Sequence, residues 1–403
     1  MRNRQRTIFF TCGLLFGTVY GQQPIGPQVY PLGKIATLQQ ELRPVEGKQP
    51  LFASGAPNCV IPDGQLEVQK LWIQDQPGGD LTTSLPSGGA ATPLDLARDI
   101  NMRFGSLGGS TPVKILIVDD FHTKLRVNGV IDPVNLTHGQ LIKSQIDLAL
   151  SAFNKLNIKK INTDSLDISD SQSPETTQAL SQRIKKKIDD INKNSHIVVN
   201  MSFAVISCRV LDDYNNWRKS QSPKSYQRIS FEGYVEAVLN SSYSQWTEQS
   251  RQDATAAMLT PNGKDPLERQ SSSGDNIVWV AAAGNYALHF PLFPAAWSKV
   301  VGVAAASKDY SNDAKGYVIN KNLLTAWSNW GDVKERGQWF QTNLTGKPLY
   351  YYGTSFATPL ASLLMALSRW QTNKSCPLKD YGASPPNSGV PLRDELANLN
   401  CLH

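Results

Sequence analysis

Histidine and cysteine are scarce in this chain, and so is any strong excess of one charge. Five histidines and five cysteines among 403 residues leave few candidates for acid–base or metal chemistry. No cysteine stands in a Cys-x-x-Cys pair or a Cys/His cluster, which removes support for a zinc site. The net charge is +6. Three of the forty basic residues, Arg2, Arg4 and Arg6, fall in residues 1–21 with no acid beside them, so the remainder carries +3. So mild a balance argues against nucleic acid and against an anionic membrane as partner. Beyond residue 20 no apolar run reaches the roughly 18 residues that a membrane span needs. Nor is there a Gly-x-Ser-x-Gly elbow, so hydrolases built on that turn are excluded for want of a nucleophile.

What is present begins with a compartment signal. Three arginines precede an apolar stretch, Ile8 to Val19, and then Val19-Tyr20-Gly21 leads into Gln22. A basic start, a short apolar core and small or neutral residues before the cut describe a secretory signal peptide over residues 1–21. The expected location is therefore secreted or extracellular (or periplasmic) after signal removal. Cys12 leaves with the signal, and Cys59, Cys208, Cys376 and Cys401 remain. An oxidising compartment favours disulfides, and Cys376–Cys401 would tie down a Pro-rich tail. One bridge and two thiols fit the same count, so connectivity stays open.

Residues 22–110 have weak periodicity and many turn formers, among them Gln76-Pro77-Gly78-Gly79 and Pro86-Ser87-Gly88-Gly89. They fit a propeptide, a small module or an arm laid over the main domain equally well. From Pro112 the character changes. Val113 to Val118 is apolar on both faces and ends on Asp119-Asp120, as a central parallel strand would. Similar runs cover Ile197–Met201 before Ser202, Ile277–Ala282 before Gly284-Asn285, and Val300–Ala305. Helical spacing follows His138, with Thr137 as a cap, and again from Ser173-Pro174, where a cap precedes proline. Strands alternating with helices predict an α/β domain over 111–373, doubly wound, with a mostly parallel sheet and helices on both faces. The polar stretch 204–275 reads as an insertion and 374–403 as a tail.

In such sheets ligands bind beyond the carboxyl ends of the strands, where Asp119, Ser202 and Asn285 fall. Gly353-Thr354-Ser355 then opens an apolar helix. A serine there sits among unpaired amide donors at the positive end of the helix dipole.

Gly353-Thr354-Ser355-Phe356-Ala357-Thr358-Pro359 resembles the serine motif of the subtilisin-like proteases, Gly-Thr-Ser-x-Ala-x-Pro, at every defined position. Ala282-Ala283-Gly284-Asn285 resembles the segment that supplies the family's oxyanion asparagine. Ser328-Asn329-Trp330-Gly331 resembles the segment preceding the serine motif. Ile117-Val118-Asp119-Asp120-Phe121 is similar to the aspartate motif, with Phe121 where the family has glycine. Thr137-His138-Gly139-Gln140 is similar to the histidine motif without its second histidine. Asn200-Met201-Ser202-Phe203-Ala204 resembles the strand that lines the substrate cleft and pairs with substrate backbone. Ala204 there replaces a glycine, which predicts a looser approach by a peptide strand.

The resemblance implies a serine endopeptidase with Asp119, His138 and Ser355 as triad and Asn285 at the oxyanion hole. Ser202, Phe203, Ala204 and Gly284 would bind substrate. It implies polypeptide substrates, a monomer and no required cofactor. The family often binds structural calcium, but no site for it can be named from the sequence. The alternative is a subtilisin-like domain that is catalytically weak or inactive and serves as a binding module, the direction in which Phe121, Gln140 and Ala204 lean.

Overall fold

Four apolar runs become neighbouring strands of one sheet. In the computed structural model the described residues are 57–62 and most of 111–372. The main stretches outside the description are 132–135, 153–159, 169–174, 221–254 apart from Tyr234, 286–289, 307–327 and 343–347. Residues 1–21, Cys376 and Cys401 also lie outside it.

The strands are β1 (Asn58–Pro62), β2 (Val113–Asp119), β3 (Arg126–Val127), β4 (Val130–Ile131), β5 (Ile161–Asp167) and β6 (His196–Met201). They continue as β7 (Phe203–Ser207), β8 (Ile277–Ala282), β9 (Val300–Ala306), β10 (Val333–Arg336), β11 (Gln338–Thr342) and β12 (Pro348–Tyr352). The helices are α1 (His138–Ala152), α2 (Thr177–Asp189), α3 (Cys208–Ser220), α4 (Pro266–Ser271) and α5 (Thr354–Thr372).

Six strands form the central sheet in the order β10-β9-β8-β6-β2-β5, and every neighbouring pair is parallel. Successive residues of each strand point to opposite faces of the sheet, and each face finds helices. On one, Ile115, Ile117, Val198, Val280 and Val303 pack with Leu141 and Ile142 of α1 and with α5. On the other, Leu116, Val118, Val199 and Met201 pack with Leu180 and Ile184 of α2 and Leu267 of α4. The chain leaves β2 for β5 on one side, then returns to begin β6 on the other. The strand order therefore reverses between β2 and β6, and the carboxyl ends at that switch point are Asp119 and Ser202.

Helix starts follow local chemistry. At α1, Thr137 Oγ1 accepts from Gln140 N at 3.2 Å while Gln140 Oε1 accepts from Thr137 N at 2.9 Å, a reciprocal capping box. Helix α2 begins later than the sequence suggests. Thr176 is its cap, accepting from Ala179 N at 3.3 Å; Ser173 and Pro174 lie outside the described residues. Both threonine and serine cap well, so the pattern alone does not choose between them. The stretch read as an insertion from 204 opens inside β7, and α3 follows, with Val210 and Leu211 buried. Its first part is core.

Candidate active site

Asp119 ends β2, and His138 opens α1. Asp119 Oδ1 lies 2.6 Å from His138 Nδ1, with 0% and 1% of the two residues exposed. The carboxylate also accepts from Asp120 N at 2.6 Å. A carboxylate accepts only, so the proton of the pair sits on Nδ1 and Nε2 becomes the basic nitrogen of the neutral ring. The neighbouring acid has other work. Asp120 Oδ1 accepts from His122 N and Thr123 N at 2.9 and 2.7 Å, and its carbonyl accepts from Gly139 N at 2.8 Å. Asp120 shapes the turn and Asp119 faces the imidazole.

Phe121, which replaces a family glycine, lies on α1 where the helix is open. A Cβ on Gly139 would stand 2.8 Å from its ring carbons. The glycine of the histidine motif thus makes room for the phenylalanine of the aspartate motif. Two further contacts carry α1 toward α5. The His138 and Phe356 rings meet edge-on at 5.8 Å, and Gln145 Nε2 donates to the Phe356 carbonyl at 3.0 Å. Phe356 follows Ser355, so the imidazole stands beside the turn that carries the hydroxyl.

The loop after β8 meets the same turn. Asn285 Oδ1 accepts from Thr354 N at 2.8 Å, and Thr354 Oγ1 accepts from Gly284 N at 3.0 Å. An amide oxygen engaged with an N–H fixes which end is which, so Asn285 Nδ2 is the end turned to the site. At Gly353 a Cβ would be 3.0 Å from Ser355 Oγ and 3.5 Å from Asn285 Nδ2. The absence of that side chain keeps a space open between hydroxyl and amide. Gly284 has φ +104°, and a Cβ there would lie 2.7 Å from Asn329 Nδ2. Both backbone sign and close packing require glycine. Ser328-Asn329 thus braces the loop after β8: Asn329 N donates to the Gly284 carbonyl at 2.9 Å and Ser328 Oγ accepts from Ala305 N at 2.9 Å.

Within α5, Pro359 lacks the N–H that would bond the Ser355 carbonyl. The turn is held instead by Thr358 Oγ1 donating to Thr354 O at 2.8 Å and by Gln145. Ser202 is buried, with its Oγ 3.3 Å from Asn200 Nδ2; Asn200 Oδ1 accepts from Ser362 Oγ on α5 at 3.0 Å. Ala204 lies within β7. It pairs with Ile61 of β1, which is docked antiparallel on β7; a methyl group on a pleated strand points off the ladder and leaves its hydrogen bonds alone.

The subtilase family model matches residues 102–381, more than two thirds of the chain. The chain belongs to the subtilase family. As such it is a serine-type endopeptidase, a hydrolase whose substrates are peptides. The solved structures similar to this subtilase are remote. The epidermin leader peptide processing serine protease from Staphylococcus aureus is 15% identical, with 76% of this chain and 81% of that one covered and a TM-score of 0.42. The self-cleaved protease domain of PatA is 17% identical, over 73% and 98% of the two chains, at 0.40. A cold adapted subtilisin-like serine proteinase is 16% identical, over 68% and 81%, at 0.34. No curated protein matches the sequence.

Of the remaining histidines, His196 accepts from Arg369 Nη1 through Nδ1 at 2.9 Å, a tie between β6 and α5. His289 lies outside the described residues. Among the described residues no group of three or more His, Cys, Asp or Glu gathers around a point. The sequence reading missed three features. The Thr137-x-x-Gln140 capping box was readable from its spacing. Gln145 gave no local signal, since its partner is Phe356 on another helix. Cys59–Cys208, a disulfide spanning 149 positions, could not be chosen from four cysteines by count.

Proposed function

We propose that this subtilase is a secreted serine endopeptidase whose triad is Asp119, His138 and Ser355. The buried 2.6 Å contact of Asp119 with His138, set beside the helix turn of Ser355, carries the reading. His138 Nε2 takes the proton of Ser355 Oγ as that oxygen attacks a peptide carbonyl. The resulting oxyanion is met by Asn285 Nδ2 and the Ser355 backbone N–H, donors aimed where charge develops. His138 then protonates the leaving amine, an acyl-enzyme forms, and water releases it by the same steps in reverse order. Asp119 holds the imidazole tautomer and stabilises its charged form. The space kept by Gly353 is where the carbonyl oxygen enters. Residues 1–21 direct export, and the enzyme acts as a monomer on polypeptides.

The test is a fluorophosphonate probe, which labels activated serines and ignores capping ones. Wild type should be labelled and should hydrolyse peptides, while Ser355→Ala should be secreted and folded but lose both. Hydrolysis by purified Ser355→Ala at the wild-type rate would end the assignment. N-terminal sequencing of the exported protein should find Gln22 or a later residue first.

A further inference from the structure

The base and the nucleophile of the proposed triad stand on different helices, His138 first in α1 and Ser355 second in α5. At its amino end α1 is fastened to the end of β2. Asp119 Oδ1 meets His138 Nδ1 at 2.6 Å, and Gly139 N donates to the Asp120 carbonyl at 2.8 Å. Those bonds place the imidazole relative to Asp119, but they do not reach Ser355. Between α1 and α5, Leu141, Ile142 and Ile146 share one apolar cluster with Ala357, Leu360 and Leu364. Hydrophobic attraction is non-directional. It holds the two helices together without by itself fixing their offset to a fraction of an ångström.

Gln145 brings a polar group into this seam. It is fully buried, and its Nε2 donates to the Phe356 carbonyl at 3.0 Å. It follows His138 by seven residues, two helical turns, and so lies on the same face of α1. Both side chains reach the residue after the nucleophile: His138 meets the Phe356 ring edge-on at 5.8 Å, and Gln145 holds its carbonyl. Phe356 is held from its own segment as well. Its N–H donates to the Gly353 carbonyl at 3.1 Å, and its ring lies 5.7 Å from that of Tyr351.

Two features set this side chain apart from packing. Pro359 removes the N–H that would bond the Ser355 carbonyl, and the Gln145 bond falls on the very next carbonyl. An amide is also a costly occupant of an apolar seam unless both its ends are bonded, yet no donor among the described residues reaches Gln145 Oε1. An aliphatic side chain would fill the place at less cost. Resting on the triad reading above, we propose that Gln145 is a positioning residue: it sets the spacing of His138 Nε2 from Ser355 Oγ by tying α1 to the carbonyl beside the nucleophile.

The test is Gln145→Met in the full chain, which keeps length and burial and removes both ends of the amide. Its melting temperature should equal or exceed that of wild type. For a peptide substrate kcat should fall at least about tenfold with KM within about twofold, because a displacement of roughly 1 Å between reacting groups costs about 100-fold. Fluorophosphonate labelling should slow in parallel, since it uses the same hydroxyl and base. A side chain that served packing alone would move the melting temperature and leave kcat where it was. Gln145→Glu gives an independent arm should the Met variant unfold. Burial disfavours the ionised carboxyl, so at about pH 6 the acid is protonated and donates to the Phe356 carbonyl as the amide does; once ionised it repels that oxygen. The ratio of its kcat to that of wild type should stand near one at about pH 6 and fall at least about tenfold by about pH 9, with melting curves taken at each pH. Wild-type kcat in a folded Gln145→Met, or a Gln145→Glu ratio that stays constant with pH, would overturn the inference and leave the triad reading in place. Absence of labelling in wild type would overturn both.

Discussion

Two adjacent acids stand where β2 finishes, Asp119 as its last residue and Asp120 just after it, and Asp119 is the one that touches the imidazole. Asp119 Oδ1 meets His138 Nδ1, whereas Asp120 Oδ1 holds two backbone amides of the turn. Asp119→Asn should therefore cost on the order of 10⁴ in turnover, because the amide cannot hold the same tautomer. Asp120→Asn retains an oxygen for the turn and should cost far less. Steady-state kinetics of the two purified variants give the ranking, and its reversal would move the triad by one residue. Gly353 offers a subtler probe. An added methyl would stand 3.0 Å from Ser355 Oγ and 3.5 Å from Asn285 Nδ2, in the space where the carbonyl oxygen is to lie. Gly353→Ala should leave the melting temperature within a few degrees and lower turnover by at least about 100-fold, since a misplaced reacting group costs that much. Full turnover in this variant would show that the oxygen lies elsewhere.

At the scale of elements, the parallel strands were the most legible part of the chain. Val113–Val118, Ile197–Met201, Ile277–Ala282 and Val300–Ala305 are apolar on both faces because helices cover both faces of the sheet, and each became a strand within one residue of its reading. Asp119, Ser202 and Asn285 were placed at the rim for the same reason. The elements that escaped are held by distant partners. β1 is a five-residue run in a polar stretch, and its partner β7 lies beyond five other strands of the chain. β10 and β11 are short and carry polar residues such as Lys334, Glu335 and Gln338, so no apolar run marks them. One glycine binds two elements closely. A Cβ on Gly331 would stand 2.7 Å from the Gly302 carbonyl and 2.8 Å from Ala304 N, both backbone of β9. Gly331→Ala should destabilise by about 1–3 kcal/mol, the usual cost of forcing extra volume into packed structure. Chemical denaturation measures it, and an unchanged midpoint would show that the strand edge can yield.

At the scale of the whole molecule, Asp332 carries a titration that can be followed in stability. Burial pushes the Asp332 carboxyl up to about 6, opposed by the Gly302 N–H that it accepts at 2.8 Å. The residue as a whole is only partly buried, but this carboxyl is turned inward. A carboxyl whose native value lies above its ordinary 3.8 binds its proton more tightly when folded. Its contribution is full below about pH 4 and is lost as pH rises through about 6. Asp332→Asn, whose amide oxygen can still accept from Gly302, should flatten that decline. The variant's melting temperature should gain on wild type between pH 4 and pH 7, and a constant difference would place the titration elsewhere. α5 sets a different kind of order. The candidate nucleophile stands at the start of the last described helix, buried from Thr354 to Trp370 against strands that begin at Val113. A chain synthesised from its amino terminus makes β2, α1 and the Asn285 loop before it makes Ser355. On the proposed triad, the hydroxyl enters only when the scaffold around it has been translated, an order of synthesis that would shield the nascent chain.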